Sequence, residues 1–315
     1  MVAFFMQLFR EQRLLTSLCA STPPPLRRVV LGVAGAILFL LDVDKCRSSV
    51  LRSIEDTFPE KGKWYAMFTA IRATVTSLTY TTTALYLSQL PNRLVATKIQ
   101  DRVSVTGLAN LHAAREMQKG VVLVSSHFAC FYIALIARHA EQEADESRAA
   151  DTLVVAVPPM GEQEWNFFRK LQTLATDHRL EAIEHEKPRA GIEFLAALRS
   201  KKIVACMIDN VRDGGAHLFV DFLGADTAFP AGPFAIAAKY DIPIVPVHVE
   251  ACGSLNQHVV HFGAPLRAPH LQDFDSRPQA ISAATARYFA DVVRKHPGSW
   301  ESWRTLAYRR KLHSA

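Results

Sequence analysis

The sequence predicts an α/β fold with a largely parallel central sheet flanked by helices. Three observations carry this. From about residue 103, short apolar runs alternate with helix-length amphipathic segments, the signature of βαβ units. The runs are apolar almost throughout, as strands covered on both faces are. And 315 residues are enough for one large core with a small helical appendage.

The strands are read at Val103-Ser-Val-Thr-Gly107, Val121-Val-Leu-Val124, Leu153-Val-Val-Ala-Val157, Ile203 to Ile208, Ile242 to Val249 and His258-Val-Val-His-Phe262. Helical segments fall at 108–118, 130–142, 162–176, 188–200 and 230–240. Ligands of such sheets bind at the carboxyl ends of the strands, so chemistry is sought there.

Ahead of this core, residues 46–90 read as one or two amphipathic helices broken around Phe58-Pro59-Glu60-Lys61-Gly62. Val29 to Leu41 is the most apolar stretch, preceded by Arg27-Arg28 and followed by Asp42, Asp44 and Lys45. It is shorter than the roughly 20 residues a spanning helix needs. No small-x-small cleavage site follows, and it starts too far from Met1 for a signal peptide. Met1 to Arg10 adds a second apolar patch backed by Arg10 and Arg13. Two readings stay open: helices lying in a membrane interface, or helices packing on the main domain. Residues 1–45 are accordingly a membrane-associating segment, 46–100 a helical unit on the core, and 101–315 the α/β core.

Lys and Arg total 36 against 30 Asp and Glu, a charge of +6 and a pI near 9.1. That moderate excess suits phospholipid headgroups, acidic carrier proteins, coenzyme A and nucleic acid alike. Arg304, Arg309, Arg310 and Lys311 form a basic cluster that would add attraction to anionic lipid. The five cysteines are scattered and show neither C-x-x-C nor Cys/His ligand spacing, which argues against a disulfide framework or a zinc site. Cys206, inside an apolar run, reads as a small buried hydrophobe. The absence of a G-x-G-x-x-G fingerprint and of a P-loop argues against nucleotide-dependent chemistry.

Two strand ends carry chemistry. Val121-Val-Leu-Val-Ser-Ser-His127 places a histidine at a carboxyl end, ahead of an expected helix whose positive end would lower the imidazole pKa and keep a neutral base. Ile203-Val-Ala-Cys-Met-Ile-Asp209-Asn210 places an acid at another, followed by Arg212, Gly214 and Gly215. Asp209 reads either as a helix cap or as a partner for His127.

In order, these pieces, then Val220-Asp221-Phe222-Leu223-Gly224, Pro230-Ala-Gly232 and Ile242-Pro243-Ile244-Val245-Pro246-Val247, resemble the lysophospholipid acyltransferase superfamily. The nearest branch is that of the late acyltransferases of lipid A biosynthesis and the related mannoside acyltransferases. Asp56-Thr-Phe58-Pro59-Glu60 resembles that branch's N-terminal helical hairpin, and His296-Pro297-Gly-Ser-Trp300-Glu-Ser-Trp303 its C-terminal box. The resemblance implies transfer of an acyl chain from an acyl thioester, on acyl carrier protein or coenzyme A, to a hydroxyl or amine, with His127 as general base. It implies no metal or redox cofactor, no nucleic-acid partner, a monomer, and a place on the cytoplasmic face of the inner membrane. Ser126, Arg212, Gly214, Gly215 and Gly232 would contact substrate, with Arg212 or the Gly214-Gly215 backbone stabilising the oxyanion.

One departure stands out. The superfamily carries Asp or Glu after four further residues beyond the histidine, and here that position is Tyr132. Asp209 or Asp221 would supply the charge, or Tyr132 would orient His127 for an undemanding acceptor, or the protein would bind acyl lipid or carrier without catalysis. A serine hydrolase using Ser125 or Ser126 is the further competitor, against which stands the lack of a G-x-S-x-G elbow.

Overall fold

A computed structural model describes residues 24–42, 45–89, 103–128, 152–159, 161, 165, 168–169, 172, 180–211, 214–251, 258–269 and 276–312. The N-terminal patch 1–10, Tyr132, Arg212 and the helix expected at 130–142 lie outside the described residues.

Nine strands are described: β1 (Val103–Thr106), β2 (Val121–Ser125), β3 (Leu153–Val157), β4 (Leu180–Glu184), β5 (Ile203–Met207), β6 (His217–Phe222), β7 (Ala225–Pro230), β8 (Ile244–Ala251) and β9 (His258–Phe262). Seven form one sheet in the order β1-β9-β8-β2-β5-β3-β4, parallel at every junction except β8 with β9. The sheet is thus largely parallel, as its apolar runs predict. β2 lies near the middle, and Val121 to Val124 are all buried. Alternation divides them, Val122 and Val124 facing one half of the core and Val121 and Leu123 the other.

Helices cover both faces: α1 (Pro24–Leu40), α2 (Arg47–Thr57), α3 (Gly62–Gln89), α4 (Leu108–Glu116), α5 (Ala190–Arg199), α6 (Ala231–Tyr240), α7 (Ser276–Lys295) and α8 (Trp303–Lys311). α2 and α3 form the expected helical hairpin. Pro59 opens the 3-10 turn Pro59–Lys61 between them, and Phe58 packs edge-on against Tyr65 at 5.5 Å. α1 lies along α3, with Leu31 and Leu78 buried together. Gly35 allows the close approach, since a Cβ there would meet Val75 at 2.6 Å. The outer face of α1 stays apolar and exposed at Leu26, Val29, Val33 and Ile37. The stretch thus packs inward on α3 and presents a second apolar face outward. Among the described residues, no helix is long and apolar enough to cross a membrane.

β4, the β6–β7 hairpin, α7 and α8 were not anticipated. β4 is an edge strand with Leu180 and Ile183 buried on opposite faces of the sheet and Glu181 paired with Lys202. Residues 217–230 form the antiparallel β6–β7 hairpin. α7 buries Ile281, Ala286, Phe289 and Val293.

Candidate active site

Register sets the site. β2 and β5 are parallel neighbours with Ser125 opposite Met207, and Ile208 N donates to Ser125 O at 2.9 Å. The residues that follow each strand, Ser126-His127 and Asp209, therefore emerge side by side at the carboxyl ends.

Asp209 is 4% exposed and its two oxygens divide their work. Oδ1 faces His127 Nδ1 at 2.8 Å. Oδ2 accepts from His127 N (2.8 Å), Ser126 Oγ (2.5 Å), Ser302 Oγ (2.6 Å) and Trp300 Nε1 (3.3 Å). Trp300 Nε1 also donates to Ser126 Oγ at 2.8 Å. Burial alone would raise the Asp209 pKa, but the imidazole, the buried Arg309 guanidinium and these donors hold it well below the usual carboxylate range. An ionised Asp209 can only accept, so the Nδ1 proton belongs to His127 and, in the neutral ring, Nε2 is the unprotonated nitrogen. The His127 side chain is 35% exposed, which leaves it accessible to substrate.

This corrects one expectation. His127 was to have a lowered pKa; burial does pull it down, but the Asp209 carboxylate outweighs that and the net shift is upward. A buried full charge at hydrogen-bond distance exceeds a helix-end partial charge.

The segment 296–303 closes the site. Trp300 pairs with Phe128 in an antiparallel bridge, and Glu301 N donates to His127 O at 2.9 Å. The segment rests on α3, where Thr76 Oγ1 donates to Gly298 O at 2.9 Å and Arg72 fills the space a Gly298 side chain would take. Trp300, Ser302 and Glu301 were not identified as site residues from sequence; the signal was the Trp-containing box itself, without any indication of what it touches.

Arg309 is a second correction. Expected in a lipid-facing basic cluster, it is 1% exposed, donates through Nε to Ala228 O at 3.1 Å, and sets its guanidinium 4.9 Å from the Phe229 ring centre. Its charge balances Asp209 in the interior and cannot reach a membrane. Cys206 is buried with its thiol pushed up to about 12, an inert core group as read from sequence.

Of the remaining predicted residues, Asp221 is exposed at the β6–β7 turn, where Oδ1 accepts from Gly224 N at 3.1 Å and the side chain faces Arg310. Gly214 and Gly215 are exposed just before β6, and Gly232 is exposed in the first turn of α6. Ser126 and Asp209 are brought to His127; Asp221 is placed at the hairpin turn. Ser126 is 2% exposed, with its hydroxyl proton given to Asp209, an arrangement that serves positioning rather than nucleophilic attack. A histidine oriented through Nδ1 by a buried carboxylate is equipped to take a proton at Nε2 from an attacking hydroxyl or amine.

The family described as bacterial lipid A biosynthesis acyltransferase matches residues 14–304. Comparison with curated protein sequences gives no match. Among solved structures, the 1-acyl-sn-glycerophosphate (LPA) acyltransferase PlsC from Thermotoga maritima is similar at 13% identity and a TM-score of 0.37, over 86% of this chain and 98% of that one.

Proposed function

Since this chain belongs to the bacterial lipid A biosynthesis acyltransferase family, we propose that it transfers an acyl chain from an acyl thioester to a hydroxyl or amine of a lipid-like acceptor, with His127 as general base and Asp209 as its orienting anion. The observation that carries this reading is the 2.8 Å contact between His127 Nδ1 and Asp209 Oδ1, which places the Nδ1 proton toward Asp209 and makes Nε2 the basic nitrogen of the neutral ring. As the acceptor attacks the thioester carbonyl, Nε2 takes its proton. Collapse of the tetrahedral adduct breaks the C–S bond, and the imidazolium returns a proton to the departing thiolate. Asp209 stabilises the imidazolium between those events, the role a carboxylate plays in hydrolytic triads. The exposed Gly214-Gly215 backbone, together with Arg212, is our candidate for the oxyanion contact.

The donor carrier in this reading is acyl carrier protein or coenzyme A, and the setting is the cytoplasmic face of the inner membrane. Supporting the membrane setting, the outward face of α1 is apolar, and Trp64 and Phe68 on α3 are 76% and 68% exposed with rings 6.5 Å apart. Flanking Lys61 and Lys63 are exposed as well, a combination suited to an anionic interface. The test is acyl-thioester turnover with a panel of hydroxyl and amine acceptors, wild type beside His127→Ala. Acyl transfer that depends on His127 is expected. Binding of acyl thioester without turnover would overturn the enzymatic reading, and release of free acid alone would favour a hydrolase.

A further inference from the structure

Trp300, Glu301 and Ser302 run past His127 in an extended turn, Trp300 having φ −93 and ψ 125. Trp300 and Ser302 both direct their side chains to Asp209 Oδ2. Glu301 lies between them and, through the antiparallel bridge of Phe128 with Trp300, stands opposite His127. Its backbone N is fixed to His127 O at 2.9 Å. Its carboxylate accepts a hydrogen bond from Ser77 of α3 and lies within electrostatic reach of His127, Asp209 and Arg304.

We propose that Glu301 is a second carboxylate serving His127, a positioning residue anchored to Ser77 whose negative charge favours the imidazolium formed during acyl transfer. The inference rests on His127 being the general base. Asp209 fixes the tautomer through Nδ1; Glu301 adds charge without occupying either ring nitrogen. The groups facing it are His127 after β2, Asp209 after β5, Arg304 on α8 and the Ser77 hydroxyl on α3. Burial pushes the Glu301 carboxyl up to about 7, with His127, Ser77 and Arg304 opposing that rise and Asp209 reinforcing it. Glu301 is therefore partly ionised near neutrality. A positive charge arriving on His127 favours its ionised form, so the two groups titrate as a pair.

The experiment follows the His127 imidazole by NMR in the full-length protein as pH is varied, for wild type, Glu301→Gln, Glu301→Asp and Ser77→Ala, and records kcat/KM against pH for the same proteins. Removing the Glu301 charge should lower the His127 midpoint. The acid limb of kcat/KM should move to lower pH with it, and the plateau should fall on the order of tenfold, the size of one close charge interaction. Glu301→Asp keeps the charge and should stay nearer wild type. Ser77→Ala should shift the midpoint in the same direction by less, and serves if Glu301→Gln fails to fold. An unmoved His127 midpoint in both Glu301→Gln and Ser77→Ala overturns the inference. A uniform loss of activity with neither midpoint nor limb displaced also overturns it, in favour of a purely structural Glu301. A midpoint that moves while the limb stays put overturns instead the general-base reading on which the catalytic role depends.

Discussion

Asp209 grips His127 at two points, its Oδ1 facing Nδ1 and its Oδ2 accepting the backbone N, both at 2.8 Å. Ring and backbone are thus fixed by one carboxylate.

His127→Ala should lower acyl transfer by at least about 10²-fold with the fold retained, since general-base contributions run from 10² to 10⁴. In wild type, kcat/KM should rise with pH through a midpoint above the ordinary imidazole value, because a base must be neutral and the Asp209 anion raises the pKa that has to be crossed. Circular dichroism of the variant together with its turnover checks this.

Asp209→Asn should cost at least about 10²-fold in turnover and move that acid limb to lower pH, since the anion that raises the His127 pKa is gone. It should also destabilise the fold by about 1–3 kcal/mol, because an amide NH2 would be brought against donors from Ser126, Ser302 and Trp300. Asp221→Asn should leave turnover within about threefold, as the exposed Asp221 carboxylate caps a hairpin turn. Equal losses for the two variants would remove Asp209 from its assigned role.

Ser302→Ala and Trp300→Phe each delete a donor to Oδ2 while leaving Oδ1 to His127. Each should reduce kcat by roughly 3- to 10-fold with KM little altered, the net scale of one ordinary hydrogen bond among the several that Oδ2 accepts. A KM-dominated effect would instead place these residues against substrate.

His258 is buried, with its pKa lowered to about 4 by desolvation and its Nδ1 without a hydrogen-bond partner among the described residues. Between pH 6.5 and about 4 the unfolded chain takes up a proton here that the folded chain refuses, so stability falls as pH falls, by about 1.4 kcal/mol per pH unit. His248, lowered to about 3 by burial, acts in the same sense, whereas Glu301 acts oppositely below about 7. The difference in unfolding free energy between wild type and His258→Gln isolates the one group. It should shrink steadily from pH 6.5 to 4 in urea titrations.

Replacing Trp64 and Phe68 together by Ser should weaken binding to vesicles containing anionic phospholipid by at least about tenfold, since each ring would otherwise bury apolar area in the interface. Sedimentation at low and high salt separates this apolar contribution from that of Lys61 and Lys63.

Much of this was legible in the chain. β2 and β5 announce themselves as continuous apolar runs, and His127 and Asp209 each end one. The break at Pro59 marked the helical hairpin. β4 was not legible, because five residues with Leu180 and Ile183 buried on opposite faces carry too short a pattern to separate from a helix turn. α7 hid because Ser282, Thr285 and Ala286 sit among its inward positions and weaken its apolar stripe. The choice between Asp209 and Asp221 depended on strand register, which places Met207 beside Ser125. The roles of Trp300, Ser302 and Arg309 depend on partners far away in sequence, such as the 174 residues between Ser126 and Trp300, and no local pattern encodes them.

That separation also has a consequence in time. A ribosome adding about 5–20 residues per second needs roughly 10 to 30 seconds to proceed from Ser126 to Trp300. Over the last 91 residues of that stretch the nascent chain contains both His127 and Asp209 without the Trp300 indole and Ser302 hydroxyl that lock the acid in place. Competence for catalysis thus arrives late in synthesis, after the sheet strands that carry the base and its acid have been made.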